Sequence, residues 1–221
     1  MLPAKWTSPV NLLLYLIIDS DICDPVAVAR AVAAHGIDLV QLRDFRSNDT
    51  EYAATARQIM DAMGPYGTRF IVSERPHLVQ RLGAHGVHIG ERYRDIQTAR
   101  EEIGAGPILG VSQFTPEYIA ENLGEDFPVD YLSVGPVWST VSKADAGAEI
   151  GVAAASQLAA VNPYATAFIG GINTSNAGQI IEANRGLSGK INPPMLVVLG
   201  SVCRSEDPAR AVAELQAALS A

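Results

Sequence analysis

Leu196-Val197-Val198-Leu199-Gly200-Ser201-Val202 is an apolar run interrupted only by a glycine and a hydroxyl. A strand with water on one face alternates apolar and polar residues. A run that is apolar at successive positions fits a strand covered on both faces, as in a parallel sheet. VQL, FIV and ILGV repeat the pattern upstream. Working outward from the C-terminal run, eight strands are predicted: Leu14–Asp19, Leu39–Asp44, Arg69–Glu74, Gly86–Gly90, Ile108–Ser112, Tyr131–Pro136, Thr166–Ile172 and Leu196–Val202. Amphipathic segments lie between them. Asp24-Pro25, Thr115-Pro116 and Asp207-Pro208 each place a capping side chain before a proline at the first helical position. His35-Gly36 and Leu82-Gly83 are predicted helix exits. Eight strands alternating with eight helices in 221 residues leave two α/β architectures, a closed barrel and a doubly wound open sheet. Eight of each favours the (β/α)8 TIM barrel, with residues 1–221 as a single domain.

Composition narrows the function classes. Apolar residues make up 48% of the chain and charged residues 18%, a globular balance with no apolar run long enough to span a bilayer. The net charge of −8 argues against nucleic acid or an anionic membrane as partner, since both reward a basic surface. Residues 1–11 carry no signal-peptide pattern, so the expected location is cytoplasmic. Cys23 and Cys203 form no CxxC pair and lack a neighbouring His at metal-ligand spacing, so they are read as two free buried thiols, with one disulfide as the alternative. The sequence leaves the oligomeric state open, a homo-oligomer included.

A barrel of this class carries its active site at the C-terminal ends of the strands. The residues predicted there are polar or glycine at nearly every strand: Asp19, Gln41, Arg43, Asp44, Ser73, Glu74, Arg75, Gly90, Glu91, Ser112, Gly135, Gly170, Gly171, Gly200 and Ser201. Loops after strands seven and eight often hold a phosphate on backbone N–H groups, and glycine permits a close approach there. Gly170-Gly171 and Gly200-Ser201 stand on those two strands, so small phosphorylated substrates are the expected partners. Arg43 offers a planar fork suited to an anion, or else it pairs with Asp44 or Glu74 in a structural network. Thr140, Ser142 and Lys143 supply two hydroxyls and an ammonium after strand six. His88 is read as a hydrogen-bonded core residue ahead of an acid–base group, and His35, His77 and His85 as surface residues.

Taken together, LYLIID, VQLRD, FIVSER, GAHGVHIGE, ILGVS, DYLSVGPVWSTVSK, AFIGGI and VVLGSV resemble the thiamine phosphate synthase and thiazole tautomerase family over nearly the whole chain. The resemblance implies a (β/α)8 fold. It also implies a transferase that joins an aminopyrimidine pyrophosphate to a thiazole phosphate and releases pyrophosphate. Residue by residue, it implies that Gln41 contacts the pyrimidine, and that Arg43, Ser112 and Lys143 hold the pyrophosphate, these three being the catalytic set. Thr140, Ser142, Gly171, Gly200 and Ser201, with Gly170 beside them, would hold the thiazole phosphate. Mg2+ is the implied cofactor, and Glu74 the one candidate ligand at a matching position. The chain departs from the synthase pattern at Phe45, where a Lys is usual, at Ser73-Glu74 in place of Asn-Asp, and at Tyr93 in place of an Asp. Phe114 stands where the tautomerase branch carries His, and residues 187–194 form a longer insert. Two alternatives follow: a thiazole tautomerase-type isomerase, and a non-catalytic barrel that binds a phosphorylated ligand.

Overall fold

The computed structural model describes residues 12–90, 95–112, 128–142, 147–184 and 194–220. Eight parallel strands close into a barrel in sequence order, with the first strand pairing the last. They are β1 (Leu13–Asp19), β2 (Leu39–Arg43), β3 (Arg69–Ser73), β4 (Gly86–Ile89), β5 (Ile108–Val111), β6 (Tyr131–Val134), β7 (Ala165–Ile169) and β8 (Met195–Val198). The described helices are α1 (Pro25–Val32), α2 (Asp49–Met63), α3 (Leu78–Leu82), α4 (Ile96–Ile103), α5 (Gly151–Val161), α6 (Ala177–Ala183), α7 (Gly200–Cys203) and α8 (Pro208–Ser220). The helix predicted from Thr115-Pro116 lies outside the described residues, as do Lys143, Glu91, Tyr93, Phe114 and most of the 187–194 insert.

The unbroken apolar strands follow from two buried faces. On β1, Leu14, Leu16 and Ile18 point outward into the layer beneath the helices, while Leu13, Tyr15 and Ile17 point into the barrel. The barrel interior adds Leu39, Ile71, Ile108, Tyr131, Ala165, Ala167, Met195 and Val197. Burying each large side chain contributes about 1.5–3 kcal/mol, and with both faces used no position on β1 is left for a solvated polar residue.

The caps work as their sequences predict. Asp24 accepts from the N–H groups of Val26 and Ala27 at 2.9 and 3.1 Å, with Pro25 first in the helix. Asn48 and Glu51 form a reciprocal capping box at the start of α2. Gly36 and Gly83 take left-handed φ values of 72° and 65°, open to glycine without steric cost.

Four predicted strands, the second to the fifth, run one residue too far, and the last three run two or more too far. β6 stops at Val134 rather than Pro136, and β7 at Ile169 rather than Ile172. Gly200 and Ser201 are not in strand eight: β8 ends at Val198 and Gly200–Cys203 is a helical turn, with the N–H groups of Val202 and Cys203 bonded to Leu199 O. The apolar residues beyond each strand are buried by loop packing, which periodicity alone does not separate from a strand. No helix among the described residues is long and apolar enough to cross a membrane.

Candidate functional site

The C-terminal mouth of the barrel divides into two halves. The first is a hydrogen-bonded chain across strands one to six. Tyr15 OH donates to Gln41 Oε1 at 2.8 Å, and Gln41 Nε2 donates to Ser73 Oγ at 3.0 Å. Tyr15 and Tyr131 share a hydroxyl contact of 3.1 Å, their rings edge to face at 87°. The Tyr131 hydroxyl meets His88 Nδ1 at 2.8 Å, and His88 Nε2 meets Ser112 Oγ at 2.8 Å. The His88 ring stacks on Tyr131 with centroids 5.5 Å apart. Burial keeps both phenols in the neutral form, raising Tyr15 and Tyr131 above the ordinary tyrosine value; Tyr131 pushes Tyr15 further up, whereas the hydrogen bond with Tyr15 works against the rise in Tyr131. Gly110 makes room for this chain, because a Cβ there would lie 1.9 Å from Tyr131 Cζ.

Beside the chain, Arg43 Nη1 pairs with Asp19 Oδ2, not with Asp44 or Glu74 as either network reading expected. Asp44 instead accepts from the N–H groups of Arg46 and Ser47 at 3.1 Å each. Phe45 places its ring 4.8 Å from the Arg43 guanidinium, so the residue that replaces an expected Lys holds the cation from its face. Arg75 is structural. It donates to the carbonyls of Asp44 and Ser47, pairs with Asp49 and stacks on Tyr52 at 4.5 Å, tying the loop after β2 to the loop after β3.

Glu74 has φ of +56°, the left-handed region that non-glycine residues occupy at a cost of about 1–3 kcal/mol. That turn sets Glu74 Oε1 and Ser112 Oγ within 3.0 and 3.1 Å of where a Gly90 Cβ would lie. Mg2+ favours near-octahedral oxygen ligation with carboxylate help. The described carboxylates do not assemble such a set: Asp19 is neutralised by Arg43, Asp44 is spent on backbone N–H groups, and Glu74 is a single carboxylate near Ser112. No cluster of three metal-ligating residues occurs among the described residues.

The second half, built by strands six to eight, is open. The loop after β6 folds back on itself: Ser139 N–H donates to Glu149 Oε2 at 2.8 Å, and Gly151 N–H donates to Val137 O at 3.0 Å. It packs against the glycine pair after β7. A Cβ on Gly170 would lie 2.5 Å from Pro136 Cα, and one on Gly171 2.7 Å from Ser139 O. The pair is therefore required first by close packing of two loops. Ser142 Oγ reaches Gly200, at 2.7 Å from where a Cβ would stand, and Ser142 N–H donates to Thr140 Oγ1 at 3.2 Å. So Thr140, Ser142, Gly171, Gly200 and Ser201 gather at one place. The first N–H groups of a helix find no acceptor within it, and α7 points that end at this corner. Ser201 Oγ is buried there with no hydrogen-bond partner among the described residues.

Sequence reasoning placed Gln41, Ser112, Thr140, Ser142, Gly171 and Ser201 at this mouth and missed Tyr15 and Tyr131. Their signal was a tyrosine at an inward strand position, since a buried phenol must find a partner. His88 is hydrogen-bonded as expected, but it faces the mouth rather than sealed core.

Residues 14–188 match the sequence profile of the family described as thiamine monophosphate synthase. A thiamine-phosphate synthase of Laribacter hongkongensis is 31% identical over 207 residues, 92% of this chain and 93% of that protein. One of Xanthobacter autotrophicus is 34% identical over 215 residues, 96% and 97% of the two chains. The solved thiamine phosphate pyrophosphorylase of Pyrococcus furiosus superposes with a TM-score of 0.80 at 26% identity, covering 95% of this chain and 96% of that one. A 3-hexulose-6-phosphate synthase shares the fold, with a TM-score of 0.70 at 16% identity.

Proposed function

This chain belongs to the thiamine monophosphate synthase family, and on that premise we propose that it works in thiamine biosynthesis as a thiamine-phosphate synthase. It would join an aminopyrimidine pyrophosphate to a thiazole phosphate and release pyrophosphate, with residues 1–221 acting as one domain. The observation that carries this reading is Ser201 Oγ, buried and without a hydrogen-bond partner among the described residues, beside Gly200 and Ser142. A buried hydroxyl left unbonded costs about 1–3 kcal/mol, and a phosphoryl oxygen held by Ser201 and the N–H groups opening α7 relieves that cost.

Each side chain then has a task. Thr140, Ser142, Gly171, Gly200 and Ser201 seat the thiazole phosphate, with Gly170 shaping the loop beneath. Gln41 lines the pyrimidine side, and Ser112 the pyrophosphate end. Arg43, neutralising Asp19 and turned by Phe45, supports the pyrophosphate end together with Lys143. In the transfer, the methylene C–O bond breaks and the electron pair leaves on pyrophosphate. The thiazole nitrogen then donates its lone pair to the pyrimidine cation. Developing charge on the leaving group calls for fixed cations. The described carboxylates do not fit a Mg2+ site, so no step is assigned to one.

The relatives favour this reading over the isomerase and over a binding-only barrel. The test is a turnover assay with both phosphorylated substrates, with and without Mg2+, following thiamine phosphate and pyrophosphate in equal amounts. No product above background in either condition rejects it. Aromatisation of the thiazole carboxylate phosphate in its place would assign the isomerase.

A further inference from the structure

With the Gln41 amide oxygen toward Tyr15 and its nitrogen toward Ser73, the hydrogen-bonded chain at the mouth has one self-consistent proton assignment, because most of its links have a single proton to give. Tyr15 gives its hydroxyl proton to Gln41 Oε1. Its oxygen therefore accepts at the 3.1 Å contact, and Tyr131 donates there. With that proton committed, Tyr131 can only accept at the 2.8 Å contact with His88, so Nδ1 carries the hydrogen. In the neutral imidazole Nε2 is then bare, and it accepts from Ser112 at 2.8 Å. Ser112 turns its proton toward His88 and its lone pairs toward the mouth.

We propose that His88, backed by Tyr131 and Tyr15, is a positioning residue: it fixes the Ser112 hydroxyl as an acceptor facing the substrate and couples that orientation to the Gln41 amide across the barrel. The proposal rests on the synthase reading. It changes what Ser112 does. Phosphoryl oxygens only accept hydrogen bonds, so an accepting Ser112 complements an N–H of the aminopyrimidine and leaves the pyrophosphate to cations. Gln41, on strand two, and Ser112, after strand five, would act as one unit. No direct contact between His88 and substrate is required.

A double-mutant cycle separates positioning from mere support of the barrel. Tyr131→Phe keeps the ring and deletes the link. It is expected to lower kcat/KM for the pyrimidine pyrophosphate about tenfold, with KM for the thiazole phosphate unchanged. In a Ser112→Ala background the same substitution should change kcat/KM by less than about twofold, because the relay has nothing left to orient. Equal losses in the two backgrounds overturn the proposal. Should Tyr131→Phe fail to fold, Tyr15→Phe interrupts the chain one link further along and gives the same pattern. A native protein with no turnover removes the synthase reading instead, and long-range 15N NMR of the His88 ring, which needs no substrate, still decides the relay. A protonated Nδ1 with a bare Nε2, disturbed in Tyr131→Phe, supports it. A protonated Nε2 sinks it.

Discussion

The two halves of the barrel mouth treat polar atoms in opposite ways. On strands one to six, Ser73, Gln41, Tyr15, Tyr131, His88 and Ser112 are joined in one chain, each link between 2.8 and 3.1 Å. After strands six to eight, Ser201 Oγ is buried with no partner among the described residues, beside the start of a helix. A group already bonded cannot bind a ligand without giving something up, but it can hold a neighbour in place. A group left unbonded waits for a ligand and weakens the empty fold until one arrives. The difference separates a side that orients from a side that captures.

The harshest way to break that contrast is Gly110→Ala. The new methyl would overlap the Tyr131 ring, and the expected loss is about 3 kcal/mol in chemical denaturation, with the chain disrupted. A loss under about 1 kcal/mol would mean that the ring moves freely and the chain is not rigid. Tyr131→Phe is gentler. It removes the contact to the Tyr15 hydroxyl oxygen and to His88 Nδ1 while their bonds to Gln41 and Ser112 remain, and should lower stability by about 1–2 kcal/mol. Ser201→Ala should do the reverse in the empty protein, leaving stability unchanged or raising it by about 1 kcal/mol. It should also weaken thiazole phosphate binding about tenfold by calorimetry, or about 1.4 kcal/mol. If instead it destabilises the empty protein, the open half is not open.

Asp38, which bonds Leu14 N–H at 2.9 Å at the other end of the barrel, provides a reference outside both halves. Burial raises its folded pKa above the ordinary value. Stability from such a carboxyl is present at low pH and declines as pH rises from the unfolded pKa through the folded one. Asp38→Asn keeps an acceptor for Leu14. It should be more stable than the native chain at neutral pH by less than about 1 kcal/mol, with the gap closing below about pH 4. Thermal melts across that range check the sign.

Much of this was legible in the chain. The continuous apolar strands pointed to a parallel sheet covered on both faces, and the count of eight strands alternating with eight helices favoured its closure. Asp24-Pro25 and Asp207-Pro208 marked helix starts through local bonding alone. Gly170-Gly171 flagged the right loops, although for a packing reason beyond ligand approach: Pro136 and Trp138 occupy the space that side chains would need. The end of strand eight was misplaced, because Leu199 and Val202 are apolar whether strand or helix.

What the sequence determined by itself is the barrel, its order of elements and the rim residues, because strand periodicity, caps and turns are set by neighbours a few positions away. Only the tertiary structure decided that Arg43 answers Asp19, that Phe45 braces that cation, and that Tyr15 and Tyr131 link Gln41 to His88. Tyr15 and Tyr131 meet across 116 positions. Such a hydrogen bond depends on how strands close around an axis, and nothing local to either tyrosine encodes which hydroxyl it will find.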